Sequence, residues 1–377
     1  PLAAGATTPL WLRDIKISSD GSTVAFCYKG DIYTVPATGG QATRLTATEA
    51  YENVPVWSPD GTKIAYASDR NGNFDVYVVD AKGGTPKRLT FNSANELPES
   101  FTPDGKSVLF SAAIQAPVES AMFPSGRMTQ VYSVPVAGGA ATQVLGTPAR
   151  FISWLPDGKS FLYEDVKGFE SEWRKHHTSS VTRDIWLLGP DGKHTNLTMR
   201  GGEDLNPVAV DADKFLFLSE RDGKTINVYE ASVSNPSSAK ALTDFKTHPV
   251  RFLSRANSGK LAFGYDGEIY TMAPGQKPVK LLVDVVDDAT PDVVKMPVGK
   301  NISSASVSPD GKSIAFTWRG NVFVTSTDYT TTRQVTTTPE AEDDVVWSND
   351  GKALYYTSER DGLYNIYKAT MARPDDE

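Results

Sequence analysis

VPVWSPDGTKIAYASDRNGNFDVYVVDAKGGTPKRLT, residues 54–90, decides the fold. VPVW runs into Ser-Pro-Asp-Gly, where proline presets φ, aspartate forms an Asx turn and glycine tolerates positive φ. A second strand follows in KIAY, then the turn SDRNG (68–72) and the alternating strand DVYVV (75–79). Gly83-Gly84 reverses the chain into KRLT (87–90). Alternation of β-branched and aromatic residues is strand chemistry, and four short antiparallel strands in succession form one sheet.

The same unit recurs along the whole chain. Its turns open DGSTVAF at Asp20, DGTKIAY at Asp60, DGKSVLF at Asp104 and DGKSFLY at Asp157. They continue with ADKFLF from Ala212, SGKLAF from Ser258, DGKSIAF from Asp310 and DGKALYY from Asp350. Turn positions 21, 61, 105, 158, 213, 259, 311 and 351 recur at the period of propeller blades, not at that of helical solenoids. The expected fold is all-β, a β-propeller of four-stranded antiparallel blades in eight repeats. The eighth lacks a fourth-strand sequence, and no segment carries a sustained 3.6-residue apolar period.

Spacing divides the repeats. Thr46 to Pro59, Thr90 to Pro103 and Thr336 to Asn349 show the regular distance from a fourth strand to the next turn. Val283 to Pro309 is twice as long. This stretch contains Asp284, Asp287, Asp288, Asp292 and two prolines, a boundary composition. The reading is a flexible leader at 1–10, a six-bladed propeller at 11–283, an acidic linker at 284–298 and the start of a second propeller at 299–377. One ring of seven or eight blades with a long surface loop is the alternative. The opening proline and the small residues of PLAAGATTP (1–9) suggest a processed or cut chain.

Composition excludes several classes. Of 377 residues, 39% are hydrophobic and 22% charged, as in ordinary globular chains. The net charge of −8 argues against a nucleic-acid binder, and no apolar run is long enough for a transmembrane helix. A single cysteine, Cys27, excludes an intrachain disulfide framework and cysteine-rich zinc modules. Gly-Lys-Ser at 105–107, 158–160 and 311–313 lacks the earlier glycine and the following helix of a phosphate loop. Asp69–Asp75 mimics the start of a calcium loop, but a blade turn explains it better. There is no G-x-S-x-G, so no catalytic residue, metal or cofactor is expected in this chain.

Two insertions lengthen the connection between second and third strands, at 112–128 and 164–183. Equivalent loops in adjacent blades share one face, so together they form the wall of a site. The second carries Trp173, Arg174, Lys175, His176, His177 and Arg183, the densest cationic and aromatic cluster of the chain. That chemistry suits a peptide carboxylate or a protein partner; the plainer alternative is a solvated insertion anchored by Trp173.

On these repeats the chain resembles the TolB/WD40-like propeller superfamily. More narrowly it resembles the N-terminal propeller region of tricorn-type serine proteases. ESAMFPSGRMTQVYSV (119–134) is similar to that family's third-blade insertion and SEWRKHHTSSVTRDIWL (171–187) to its fourth. THPVRFLSRANSGKLAFGYDGEIYTM (247–272) resembles its sixth blade and SASVSPDGKSIAFTWRGNVFV (304–324) the opening of its second propeller. The resemblance implies a non-catalytic substrate-gating region of a peptidase acting on oligopeptides. A second propeller, a PDZ-like module and a serine-hydrolase core would follow in the same polypeptide. It implies a periplasmic or cell-envelope location, with the cytoplasm as alternative, and a possible homo-oligomer. The family's carboxylate-anchoring arginine pair has no counterpart in FNSANELPES (91–100), leaving Arg174 and Lys175 nearest to that role. The rival readings are a TolB-like interaction propeller and the cap of a prolyl-oligopeptidase-like hydrolase.

Overall fold

Each turn of the Pro-Asp-Gly type is locked by its own side chains. Asp60 accepts from the Ser58 hydroxyl at 2.6 Å and from the Thr62 amide at 3.0 Å. The same bonds recur at Asp310 and Asp350. The hairpins so fixed are the first two strands of their blades. The computed structural model describes residues 9–114, 128–168, 176–223, 225–285, 298 and 301–371. Among these the only helical segments are two short 3-10 turns, Arg221–Gly223 and Pro236–Ser238.

The chain is a β-propeller of antiparallel blades, and it divides into two compact units, the first with six blades and the second with two. In the first unit blade one is Arg13–Ile17, Thr23–Tyr28, Asp31–Pro36 and Thr43–Arg44. Blades two to six begin with the innermost strands Glu52–Trp57, Glu96–Phe101, Ala149–Trp154, Asp204–Ala209 and Arg251–Arg255. Each inner strand neighbours the next, and Arg251–Arg255 lies beside Arg13–Ile17, so the order of neighbours is cyclic. The second unit contains the blades that begin at Ile302–Val307 and Glu342–Trp347.

The cores sit between blades, as in face-to-face sheet packing. Cys27 and Ile32 of blade one pack with Ile64 and Tyr77 of blade two. Similar apolar layers join blades two to three, three to four, four to five and five to six. The sixth layer joins Ala262, Ile269 and Leu281 to Ile15, Val24 and Phe26, returning to blade one. One cross-strand aromatic pair recurs in all eight blades, between second and third strands. Phe26–Tyr33, Tyr66–Tyr77 and Phe110–Tyr132 are examples, with ring centres 5.8, 5.9 and 5.6 Å apart. Such pairs add stability beyond buried area and pin the register.

Several outermost strands are shorter than their sequence suggests, although that of blade three runs the full Thr142–Leu145. KRLT forms a strand only over Lys87–Arg88, because the Thr90 hydroxyl takes over as acceptor from the Val76 amide at 2.8 Å. Thr46, Thr198, Thr243 and Thr336 do the same in their blades at 2.8 to 2.9 Å. The segment KLLV (280–283), whose last residue Val283 the spacing treats as the end of a fourth strand, is not one strand but splits into Val279–Lys280 and Val283–Asp284. The latter pairs in parallel with Gly40–Gln41 at the margin of blade one, and Val285 is buried in the blade-one core.

Candidate axial binding site

A bulge interrupts every innermost strand of the first unit. The residue seven positions before the turn is Asp14, Val54, Phe151, Asn206 or Phe252, with φ between 48° and 57°. Pro98 takes this place in blade three, where the ring forbids positive φ. A bulge re-aims side chains and exposes one amide, and acidic groups of neighbouring strands satisfy those amides. Val54 donates to Asp14 Oδ2 at 3.4 Å, Phe151 to Glu99 Oε2 at 2.6 Å and Asn206 to Glu164 Oε2 at 2.9 Å.

The bulges gather a charged cluster. Lys16 of blade one places its Nζ 5.8 Å from the ring centre of Phe151 in blade four. Arg150 lies over the same ring at 5.2 Å, and Arg13 stacks on Trp11 at 3.9 Å. Asp14, Lys16, Glu99, Arg150 and Phe151 are all half-buried. Burial pushes the Asp14 carboxyl up, although the Cys27 thiol, the Val54 amide and Arg13 oppose it. Burial likewise lowers the Lys16 ammonium against the pull of Glu99 and Asp14, and raises Glu99 against Arg150, the Ser111 hydroxyl and the Phe151 amide. These charges have lost part of their hydration, which strengthens any interaction they make. Cys27 is buried and its thiol is held protonated by burial, with Asp14 adding to the effect. The cluster can therefore bind charged groups; nothing in it supplies an activated nucleophile.

Of the cluster expected from the blade-four insertion, Trp173, Arg174 and Lys175 lie outside the described residues. His176 has φ 52° and donates its amide to Glu220 Oε2 at 2.7 Å. His177 is buried, with Nδ1 3.4 Å from Glu203 Oε1. Arg183 Nε lies 3.7 Å from Glu164 and 3.9 Å from Glu203, and its amide donates to Glu203 at 3.2 Å. His177 and Arg183 thus meet at Glu203, in the junction of blades four and five. Burial raises the Glu203 carboxyl, and Arg183 and His177 work against that rise.

The sequence reading missed the axial set. Its signal was positional: eight places before the turn stand Arg13, Asn53, Leu97, Arg150, Leu205 and Arg251. The apparent calcium loop resolves differently. Asp75 is buried and pairs with Arg88 at 2.9 Å, while Arg70 reaches back to the fully buried Glu52.

Residues 9–278 match the family described as the tricorn protease N-terminal beta propeller domain. A curated relative, tricorn protease homolog 1 of Streptomyces coelicolor, is 28% identical over 352 residues, covering 88% of this chain and 32% of the relative. The crystal structure of the tricorn protease superposes with TM-score 0.63 at 18% identity, covering 96% of this chain and 44% of that one. A putative TolB from Agrobacterium tumefaciens gives TM-score 0.46 at 19% identity, over 74% of this chain and 82% of that one. The chain spans about a third of the length of the curated relative it matches.

Proposed function

This chain belongs to the tricorn protease N-terminal beta propeller family, and from that premise we propose that it is the non-catalytic, substrate-gating and scaffold region of a tricorn-like serine peptidase acting on oligopeptides. The observation that carries this reading is the half-buried charged cluster in which Lys16 of blade one meets the Phe151 ring of blade four. A ring of blades offers a ligand its axis, and partly desolvated charges there recognise a peptide by its own charges. Binding is expected to be weak, because a gate releases what it admits. The six-blade unit is the complete first propeller in this proposal, the following unit opens a second, and the hydrolase core belongs to the same polypeptide downstream. Arg174 and Lys175 of the blade-four insertion are the residues proposed to bind the peptide. The proposed setting is the periplasm or cell envelope; no helix among the described residues is long and apolar enough to cross a membrane.

Incubation of the whole chain with fluorogenic oligopeptides, followed by binding measurements on the same peptides, tests the reading. Binding without hydrolysis is expected, with Arg174→Ala/Lys175→Ala weakening binding about three- to tenfold, the loss of roughly one kcal/mol. Hydrolysis abolished by a substitution within this chain would refute it.

A further inference from the structure

We propose that blade three carries a receptor for an arginine side chain, formed by the Glu96 carboxylate and the Tyr132 ring and filled by an extended peptide. This deepens the gating reading and depends on it only for the carrier being a peptide.

The first argument comes from the other blades. Four innermost strands begin with an acid: Glu52, Glu96, Asp204 and Glu342. Their register partners on the second strand are Ser68, Ala112, Ser219 and Ser358. Two places beyond the three serines stand Arg70, Arg221 and Arg360, and each pairs with the acid of its own blade. Each guanidinium also lies against the third-strand tyrosine, 4.3 Å from the ring centre of Tyr77, 5.3 Å from that of Tyr229 and 4.3 Å from that of Tyr367. Three times, an acid and a tyrosine hold one guanidinium. The group suits both partners, because it donates hydrogen bonds to a carboxylate and stacks on an aromatic face.

Blade three keeps this receptor without its arginine. Glu96 begins the inner strand, and Tyr132 takes the tyrosine position, paired with Phe110 as Tyr77 is with Tyr66. Two places beyond Ala112 stands Ile114, half-buried against the layer between blades two and three, with no side-chain donor to offer. Among the described residues no lysine or arginine forms an ion pair with Glu96, and its Oε2 has no hydrogen-bond partner. Burial raises this carboxyl to about 7, and the Thr90 hydroxyl opposes the rise while Asp75 adds to it. A buried carboxylate without a cation is costly to ionise, and an incoming guanidinium supplies what the sister blades have built in. A chain of contacts brings an exposed ring to the same place. Phe91 is exposed, Arg88 lies 4.6 Å from its ring centre and 2.9 Å from Asp75 Oδ2, and Asp75 acts electrostatically on Glu96. Such a ring offers apolar contact to the peptide that carries the arginine.

Three peptides test the receptor. Octapeptides of glycine and serine with an amide end, labelled at the N-terminus with an uncharged fluorophore, carry one central arginine, lysine or glutamine. Each is titrated with the full chain at pH 8 and low salt and followed by anisotropy. The arginine peptide is expected to bind about tenfold more tightly than the glutamine peptide, a difference of about 1.4 kcal/mol, with the lysine peptide weaker than the arginine one. Glu96→Gln should reduce the preference to below about threefold. Ile114→Arg should do the same by filling the receptor from within, as Arg70 does in blade two. The exposed control Asp328→Asn should leave the preference unchanged; if Ile114→Arg does not fold, Glu96→Gln alone reads the loss. Equal binding of the arginine and glutamine peptides, or a preference that survives Glu96→Gln, overturns the receptor and leaves the gating reading standing. A lysine peptide that matches the arginine one overturns the assignment to a guanidinium. Binding of none overturns both the receptor and the gating reading.

Discussion

At the residue scale the described structure is governed by carboxylates out of water. Glu96 is 2% exposed, one of its oxygens has no hydrogen-bond partner, and burial raises its pKa to about 7. The folded protein therefore holds this proton more tightly than the unfolded chain, whose glutamate titrates at about 4.3. Ionisation between these values costs stability, so this group's contribution falls as pH rises through that window. Glu96→Gln should raise stability relative to the parent by about 1–2 kcal/mol at pH 8, and the advantage should vanish below about pH 4. Urea melts of both proteins at the two pH values check the sign; an advantage independent of pH would show that titration is not its origin.

Individual blades explain why SDRNG and SERDG recur. Arg70 turns back from the loop to the buried Glu52, donates to Ser68 Oγ at 2.9 Å and lies 4.3 Å from the Tyr77 ring centre. Arg221 does the same with Asp204 at 3.1 Å and Ser219 at 3.0 Å, and Arg360 with Glu342 at 3.1 Å. The motif fastens the second-to-third turn to the start of the inner strand. Arg70→Met should cost about 2–4 kcal/mol, because it strands a buried carboxylate, and Glu52→Gln in the same chain should restore part of the loss. The comparison requires single and double variants in urea denaturation; additive losses would mean that the pair does not act as a unit. Thr90→Val should cost about 1 kcal/mol by leaving the Val76 amide without its acceptor, visible as a lowered thermal midpoint. An unchanged midpoint would mean water replaces the hydroxyl.

For the whole six-blade unit, the junction between last and first blades is the distinctive feature. The Gly40 amide donates to the Leu282 carbonyl, and the Ala42 amide to Asp284, each at 2.8 Å. Gly39 stands at φ +87°, and a Cβ there would meet the Leu282 carbonyl at 2.7 Å. Gly83 holds the equivalent turn of blade two at φ +93° with nothing within 4 Å. Both alanine variants bear the strain of the left-handed region, about 1 kcal/mol, but Gly39→Ala also presses on the closing segment. It should be the more destabilising by about 1–2 kcal/mol, read from paired urea melts of the two variants. Equal losses would show that the Val283–Asp284 segment adds little to closure.

The sequence alone was enough to determine the blades, because each is a local object. Turn chemistry, strand alternation and the terminal threonine all act within a single repeat; repetition shows the turn and the alternation eight times and the threonine five times. Fourth strands such as KRLT were read too long because a threonine hydroxyl can imitate a backbone acceptor, which composition does not reveal. His177 and Arg183 were legible as a charged cluster, but their meeting at Glu203 depends on a neighbouring blade. Only the tertiary structure decided that Arg251–Arg255 lies beside Arg13–Ile17 and that Lys16 faces Phe151. These partners are far apart in the chain, and their meeting depends on the accumulated angles between successive blades. No single repeat records that sum.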